Sequence, residues 1–247
     1  MQPVLWRAVG FGAFLLFWAS YPGTPLTPSL GMVLKSGFDL VKGGVLVPDV
    51  VASLVRVVGG VAIAFALASF LCCVAVIVPK VGLMLEGIGE IFRPIPPIAW
   101  TPVAIIVFGI GNAPAVAIVG VGAFFPIWLG LQSGIEAVRQ EHVQAAHTLG
   151  ATRLNTARFV ILPSVQPHAI RGLRLGTGLG WFSVVAAEMV GASSGLGYGI
   201  QLFSLNLEIE KMYAYLLMIG GLGWVQSSIL RELEQAVFAR WGISALN

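Results

Sequence analysis

Charged residues are so sparse along this chain that the apolar runs between them define its elements. Val57 to Pro79 is one run of 23 uncharged residues between Arg56 and Lys80. Between Arg93 and Glu136 lie 42 uncharged residues, enough for two spans of about 20 residues each, with the turn formers Gly109-Ile110-Gly111-Asn112-Ala113-Pro114 inside. Met212 to Leu230 gives 19 more, and Leu175 to Ala187 reaches spanning length only with Glu188 and Met189. Ala8 to Tyr21, extended by Val4 and Leu5, makes a first helix that stops at Pro22, Pro25 and Pro28. It reads as an uncleaved helix, because Trp18-Ala19-Ser20 is a poor small-residue cleavage site. The count is six helices. The third is short: after Arg93-Pro94-Ile95-Pro96-Pro97, and with Pro102 following, Ile98 to Ile110 gives only about 20 Å. A broken backbone at membrane depth is tolerated where it lines a cavity or is buried in protein.

Composition agrees with the pattern. In 247 residues, 57% are hydrophobic and 10% charged, against about 25% charged in a soluble domain. That excludes an ordinary soluble enzyme, a disordered chain and a nucleic-acid binder. The formal charge of +3 is a topology signal. With the N-terminus inside, ten of the fourteen Lys and Arg fall on the cytoplasmic side: Arg7, Lys80, Arg93, Arg139, Arg153, Arg158, Arg171, Arg174, Arg231 and Arg240. Lys35, Lys42, Arg56 and Lys211 remain outside or at the outer end of a helix. This bias predicts both termini inside. Cys72 and Cys73 are adjacent in an apolar run and read as packing residues.

Residues 132–174 form the one stretch that reads like soluble helix. Glu141 to Gly150 has an early acid, helix formers and a glycine stop; Thr152 to Leu162 is a second amphipathic segment ended by Pro163. Such a pair folds back on the bundle or docks a cytoplasmic partner. Glu188 is the one acid within a predicted span, a costly placement. Pairing with Arg56 and contact with a transported solute are both open for it. Gly191 to Lys211 reads as a short re-entrant or surface element, or a flexible loop. His142, His147 and His168 all fall in the 132–174 segment. None of the four lysines follows a glycine, so no Walker A motif exists, and no HExxH or metal-ligand spacing appears.

Gln144-Ala145-Ala146, three residues, Gly150, nine residues and Val160-Ile161-Leu162-Pro163 resemble the E-A-A…G…I-x-L-P loop of permeases of binding-protein-dependent ABC importers. Gln144 replaces the usual acid and Val160 the usual isoleucine. Phe92 to Pro102, Phe108 to Asn112, Gly172-Leu173-Arg174, Gly180-Trp181, Ala186 to Met189 and Ser194 to Gly197 resemble the taurine, alkanesulfonate, nitrate and bicarbonate permease group. The resemblance covers roughly residues 48–235.

It implies an all-α polytopic membrane protein: a six-helix, type I importer-like bundle over residues 1–247, in the bacterial inner membrane. Gln144, Ala145, Ala146, Leu149, Gly150, Leu162 and Pro163 would couple to the ATPase. Pro97, Trp100, Pro102, Trp181 and Glu188 would border the pathway. No catalytic, cofactor or metal residue is expected; ATP and magnesium would sit on the partner. Expected partners are ABC ATPase subunits, an extracytoplasmic solute-binding protein, a second permease copy and the bilayer, with no nucleic acid. The cargo would be a small oxyanion; another small solute, such as a pyrimidine precursor, is the alternative. An intramembrane enzyme using Glu188 and a histidine is the rival class, weakened by the loop placement of the histidines.

Overall fold

Long apolar runs grow into long helices, which continue through Pro126 in α6 and Pro167 in α9, while clustered Pro and Gly residues bend or break the chain. The computed structural model describes residues 2–24 and 26–240. Pro25, the tail from residue 241 and the side chains of Arg7, Arg153 and Arg240 lie outside that description, so the expectations that used them stand apart from it. The described residues hold no strand.

Helix α1 spans Gln2–Ser20, and α2 spans Leu30–Lys42. Helix α3 runs Leu46–Ile77 and α4 Pro79–Phe92; a 3₁₀ turn, Pro97–Trp100, leads into α5, Thr101–Phe108. Helix α6 covers Asn112–Glu136, α7 Gln140–Thr148 and α8 Arg153–Thr156. Helix α9 covers Leu162–Gly191, α10 Leu196–Leu205 and α11 Ile209–Arg240.

Three of these, α3, α6 and α11, are long and apolar enough to cross a bilayer. Two bent pairs raise the total to five: α4 with the Pro97–Phe108 segment, bent by 94°, and the helix ending at Gly191 with α10, bent by 50°. The described residues thus reach five spans, one short of the six expected. The second bend also gives the middle of Gly191 to Lys211 an ordered form: α10, deflected by 50° from α9.

Several boundaries differ from those set by the gaps between charges. Helix α3 begins eleven residues before Val57 and carries Arg56 inside it, only 2% exposed. Helix α9 begins at Leu162 rather than near Leu175 and contains Arg171 and Arg174. Pro163 does not end the preceding helix. A π turn at Ala157–Ile161 widens the backbone ahead of it, so the proline enters α9 in its first turn, where a missing N–H costs little. Helices α2 and α4 were not foreseen: Asp39, Lys42, Lys80, Glu86 and Glu90 break up their apolar runs.

Helices α3, α6 and α9 form the centre. A Cβ on Gly130 would lie 2.7 Å from the Cα of Gly172, and one on Gly176 2.8 Å from the carbonyl oxygen of Ala123. Only hydrogen fits at such crossings, the small-residue contact that lets helices meet in lipid. Val57, Val119, Ile127 and Val184 fill the space between, each with no exposed surface. The outer faces are apolar: Ile77, Ile106, Phe182 and Trp224 are each more than two-thirds exposed. A surface of that character suits lipid rather than water. Cys72 is buried and Cys73 exposed, both free, as packing residues would be.

Candidate functional site

Two arrangements and one cleft carry the chemistry. The first arrangement is α7 and its exit turn. The amide of Gly150 donates to the carbonyl of His147 (3.0 Å), and that of Ala151 to the carbonyl of Ala146 (2.9 Å). This pair of bonds is a Schellman stop, and Gly150 has the positive φ, +80°, that it requires. The turn presents Leu149 to the outside, 88% exposed. Gln144 and Ala145 are exposed and Ala146 is half-buried. Beyond the π turn Leu162 is exposed and Pro163 half-buried. Leu149 is thus an exposed apolar side chain at the end of an exposed, polar helix.

The second arrangement is a buried polar clasp. Asp49, Ser53 and Arg56 are one and two turns apart on α3 and share one face. Arg56 Nη1 donates to Glu188 Oε1 at 2.6 Å and to the carbonyl oxygen of Ser194 at 2.7 Å. Arg56 Nη2 and Nε both donate to Asn112 Oδ1, at 2.6 and 2.9 Å. The Ser53 hydroxyl, 2.8 and 2.9 Å from the two Glu188 oxygens, donates to that carboxylate and accepts from the amide of Leu196 at 2.8 Å. The Gly197 amide donates to Glu188 Oε2 at 2.8 Å. Asp49 accepts from the Gly195 amide and the Tyr215 hydroxyl, each at 2.7 Å.

The clasp therefore ties α3, α6, α9, the α9–α10 turn and α11 together. Gly195, at φ +113°, is required there: a Cβ would stand 2.5 Å from Glu188 Cδ. Of the two roles open for Glu188, pairing with Arg56 is the one the geometry displays, with both side chains almost wholly buried. Asp49, Ser53, Asn112, Ser194 and Tyr215 were missed. The signal available for the first two was their spacing with Arg56 on an otherwise apolar helix.

The third feature is a cleft of about 920 Å³ between α6, α9 and the 93–97 break, bordered by Pro97, Arg93, His168, Arg171 and Arg174. The other expected pathway residues do not converge on it. Trp100 packs on Phe92 (5.8 Å between ring centres) and faces a separate apolar groove of about 750 Å³. Pro102 is exposed on α5. Trp181 is buried and donates its indole N–H to Gln226 on α11. His168 lies within α9 on the cleft wall rather than in the loop; His142 and His147 are exposed on α7.

The turn residues Gly191-Ala192-Ser193-Ser194-Gly195 match G-x-S-x-G literally. Ser193 nevertheless follows a helix instead of a strand, and the nearest histidine in sequence, His168, is 25 residues earlier, with about 35 Å of α9 between it and Gly191. Among the described residues no group of three or more His, Cys, Asp or Glu is placed to hold a metal.

A bundle of spanning and bent helices with an exposed helical loop is the architecture of a membrane transport subunit. The family model for the binding-protein-dependent transport system inner membrane component matches residues 60–239, and the chain belongs to that family. It is thus an ABC importer permease, a transport component and not an enzyme, and such permeases work with an ATPase and a binding protein.

A provisionally named ABC transporter permease protein of Methanocaldococcus jannaschii is 35% identical over 83% of this chain and 78% of its own. The taurine transport system permease protein of Escherichia coli is 35% identical over 64% of this chain and 57% of its own. The bicarbonate transport system permease protein of Synechococcus elongatus is 27% identical over 74% and 69%. Among solved structures, the methionine ABC transporter in an inward-facing form superposes with a TM-score of 0.69 at 21% identity, over 79% of this chain and 97% of that one. That likeness establishes the type I importer permease fold.

Proposed function

We propose that this chain, taken as one permease unit over residues 1–247, pairs with a second copy to form the pathway for a small oxyanion such as a sulfonate, taurine, nitrate or bicarbonate. The observation that carries the cargo is chemical: taurine and bicarbonate, the solutes in the names of two relatives, both present anionic oxygens. A solute-binding protein delivers the cargo from outside, and ATPases holding ATP and magnesium drive the cycle. Helix α7 is the coupling helix, with Leu149 as its apolar anchor. Glu188 belongs to the clasp that shapes the bundle, while Pro97, Trp100, Pro102 and Trp181 border the translocation pathway. Uptake by vesicles containing permease, ATPase and the cognate binding protein is expected for at least one labelled oxyanion and to depend on ATP. Uptake of an uncharged pyrimidine precursor alone would favour the alternative cargo.

The same reading places both termini and residues 132–174 on the cytoplasmic side, with α1 as the sixth span. In a background with Cys72 and Cys73 replaced, Asn155→Cys is expected to resist an impermeant thiol reagent added outside intact cells, and Asn206→Cys to react. Labelling of Asn155→Cys from outside would reverse the topology.

A further inference from the structure

Arg93 is far from Arg171 and Arg174 in the sequence, on the other side of α6, yet the fold gathers all three on one cleft. Arg93, Arg171 and Arg174 line it together with His168, Ser133 and Ser227. Glu234 serves both Arg171 (3.0 Å) and Arg174 (2.8 Å), and no ion pair is formed by Arg93 among the described residues. Arg171 and Arg174 against the one Glu234 carboxylate leave one positive charge in excess, and Arg93 adds to it from the opposite wall. The Arg171 and Arg174 side chains remain 47% and 34% exposed on the cleft wall despite their contact with Glu234, with the Phe238 ring 4.7 Å from the Arg171 guanidinium. Val121, Phe125, Pro126 and Leu129 of α6 form an apolar wall facing the arginines, a low-dielectric boundary that focuses their field.

Arg93 also borders a neighbouring cleft lined by Glu86, Glu90 and Glu136. Its share of the field is therefore smaller, and Arg171 and Arg174 supply the main attraction.

We propose that this cleft is a binding station for a small oxyanion, reached after the pathway and before release into the cytoplasm. The proposal rests on the oxyanion reading of the cargo. At about 920 Å³ the cleft is far larger than such an ion. The ion stays partly hydrated, binding is weak and exchange is fast, as a transport station needs. Half-occupancy is expected at roughly 5–50 mM.

The test uses the permease–ATPase complex in phosphatidylcholine nanodiscs, with Cys72 and Cys73 replaced by Ala and Ser133→Cys as reporter. A sulfonate-bearing methanethiosulfonate is expected to react about tenfold faster than a trimethylammonium one, relative to their rates with a free thiol. Arg171→Gln is expected to cut that preference at least threefold and Arg93→Gln, which strands no partner, by less. Methanesulfonate at 50 mM should slow the sulfonate reagent at least twofold, and chloride at the same concentration should not.

Equal slowing by chloride would mean general screening and would overturn the site. So would protection that appears only when phosphatidylglycerol is added, which would assign the cleft to a lipid headgroup. Protection by methanesulfonate alongside uptake of uncharged solutes only would keep the site and sink the cargo reading. Sulfonate uptake without protection would do the reverse.

Discussion

Glu188→Gln is expected to lower the amount of assembled transporter and its thermal midpoint while leaving the choice of solute unchanged. Glu188 takes the Arg56 guanidinium at 2.6 Å and two further donors, the Ser53 hydroxyl and the Gly197 amide. A glutamine accepts some of these bonds but leaves the Arg56 charge unmatched in a site where that side chain is 3% exposed. Removing one partner of a buried pair costs about 3–5 kcal/mol. The retained hydrogen bonds put this change near about 3 kcal/mol, roughly 6–12 °C in midpoint for a chain of this size. The double change Arg56→Met with Glu188→Met is expected to be milder than Arg56→Met alone, because it strands no charge. Thermal unfolding and uptake measured on the same preparations decide the matter. A switch of substrate at full rate would make Glu188 a selectivity residue instead.

Gly150→Val and Ala146→Trp are expected to abolish association with the ATPase, or its stimulation by the binding protein, while membrane insertion stays normal. Gly150 sits at φ +80° with open space where a Cβ would go. Valine there meets no neighbour; its cost is the backbone alone, about 1–2 kcal/mol for a left-handed L-residue and more when β-branched. The Schellman stop then relaxes, and Leu149 swings out of register with its groove. Ala146 is half-buried on α7, and tryptophan there blocks close approach by volume. Gln144→Glu, which restores the usual acid, is expected to leave coupling intact. Co-purification of the ATPase and stimulated ATP hydrolysis in vesicles report the effect. Normal values in both disruptive variants would remove α7 from the mechanism.

The helix and its stop were legible because their chemistry is local: two alanines and a glycine are read along the chain, whereas Pro163, read as a stop, lies in the first turn of α9. Gly150 at positive φ follows from its place after the last helical turn. The Arg56–Glu188 pair was legible as one of two options, since an acid and a base in apolar surroundings call for partners. The rest of the clasp was hidden because Asn112, Ser194 and Tyr215 are ordinary polar residues until the fold brings them together. Helix ends failed for a related reason. A rule that stops a span at each charge assumes the charge faces bulk water, whereas Arg56 is paired inside the bundle by Glu188, and Arg171 sits within α9 on a cleft wall, sharing Glu234 with Arg174. The basic cleft was missed for the same cause: Arg171 and Arg174 were assigned to the loop.

The glycine crossing of α6 on α9 has a mechanical consequence. Gly130 meets Gly172 with room for hydrogen alone, so neither helix can roll or slide far without a backbone collision. The segment carrying α7 and α8 is strung between the ends of these same two helices. It is a handle bolted at both ends to one stiff beam, and torque applied to it cannot be spent on spreading its own attachment points. A displacement of that segment is therefore expected to carry both helices together, while the 94° elbow between α4 and α5 lies outside the pair.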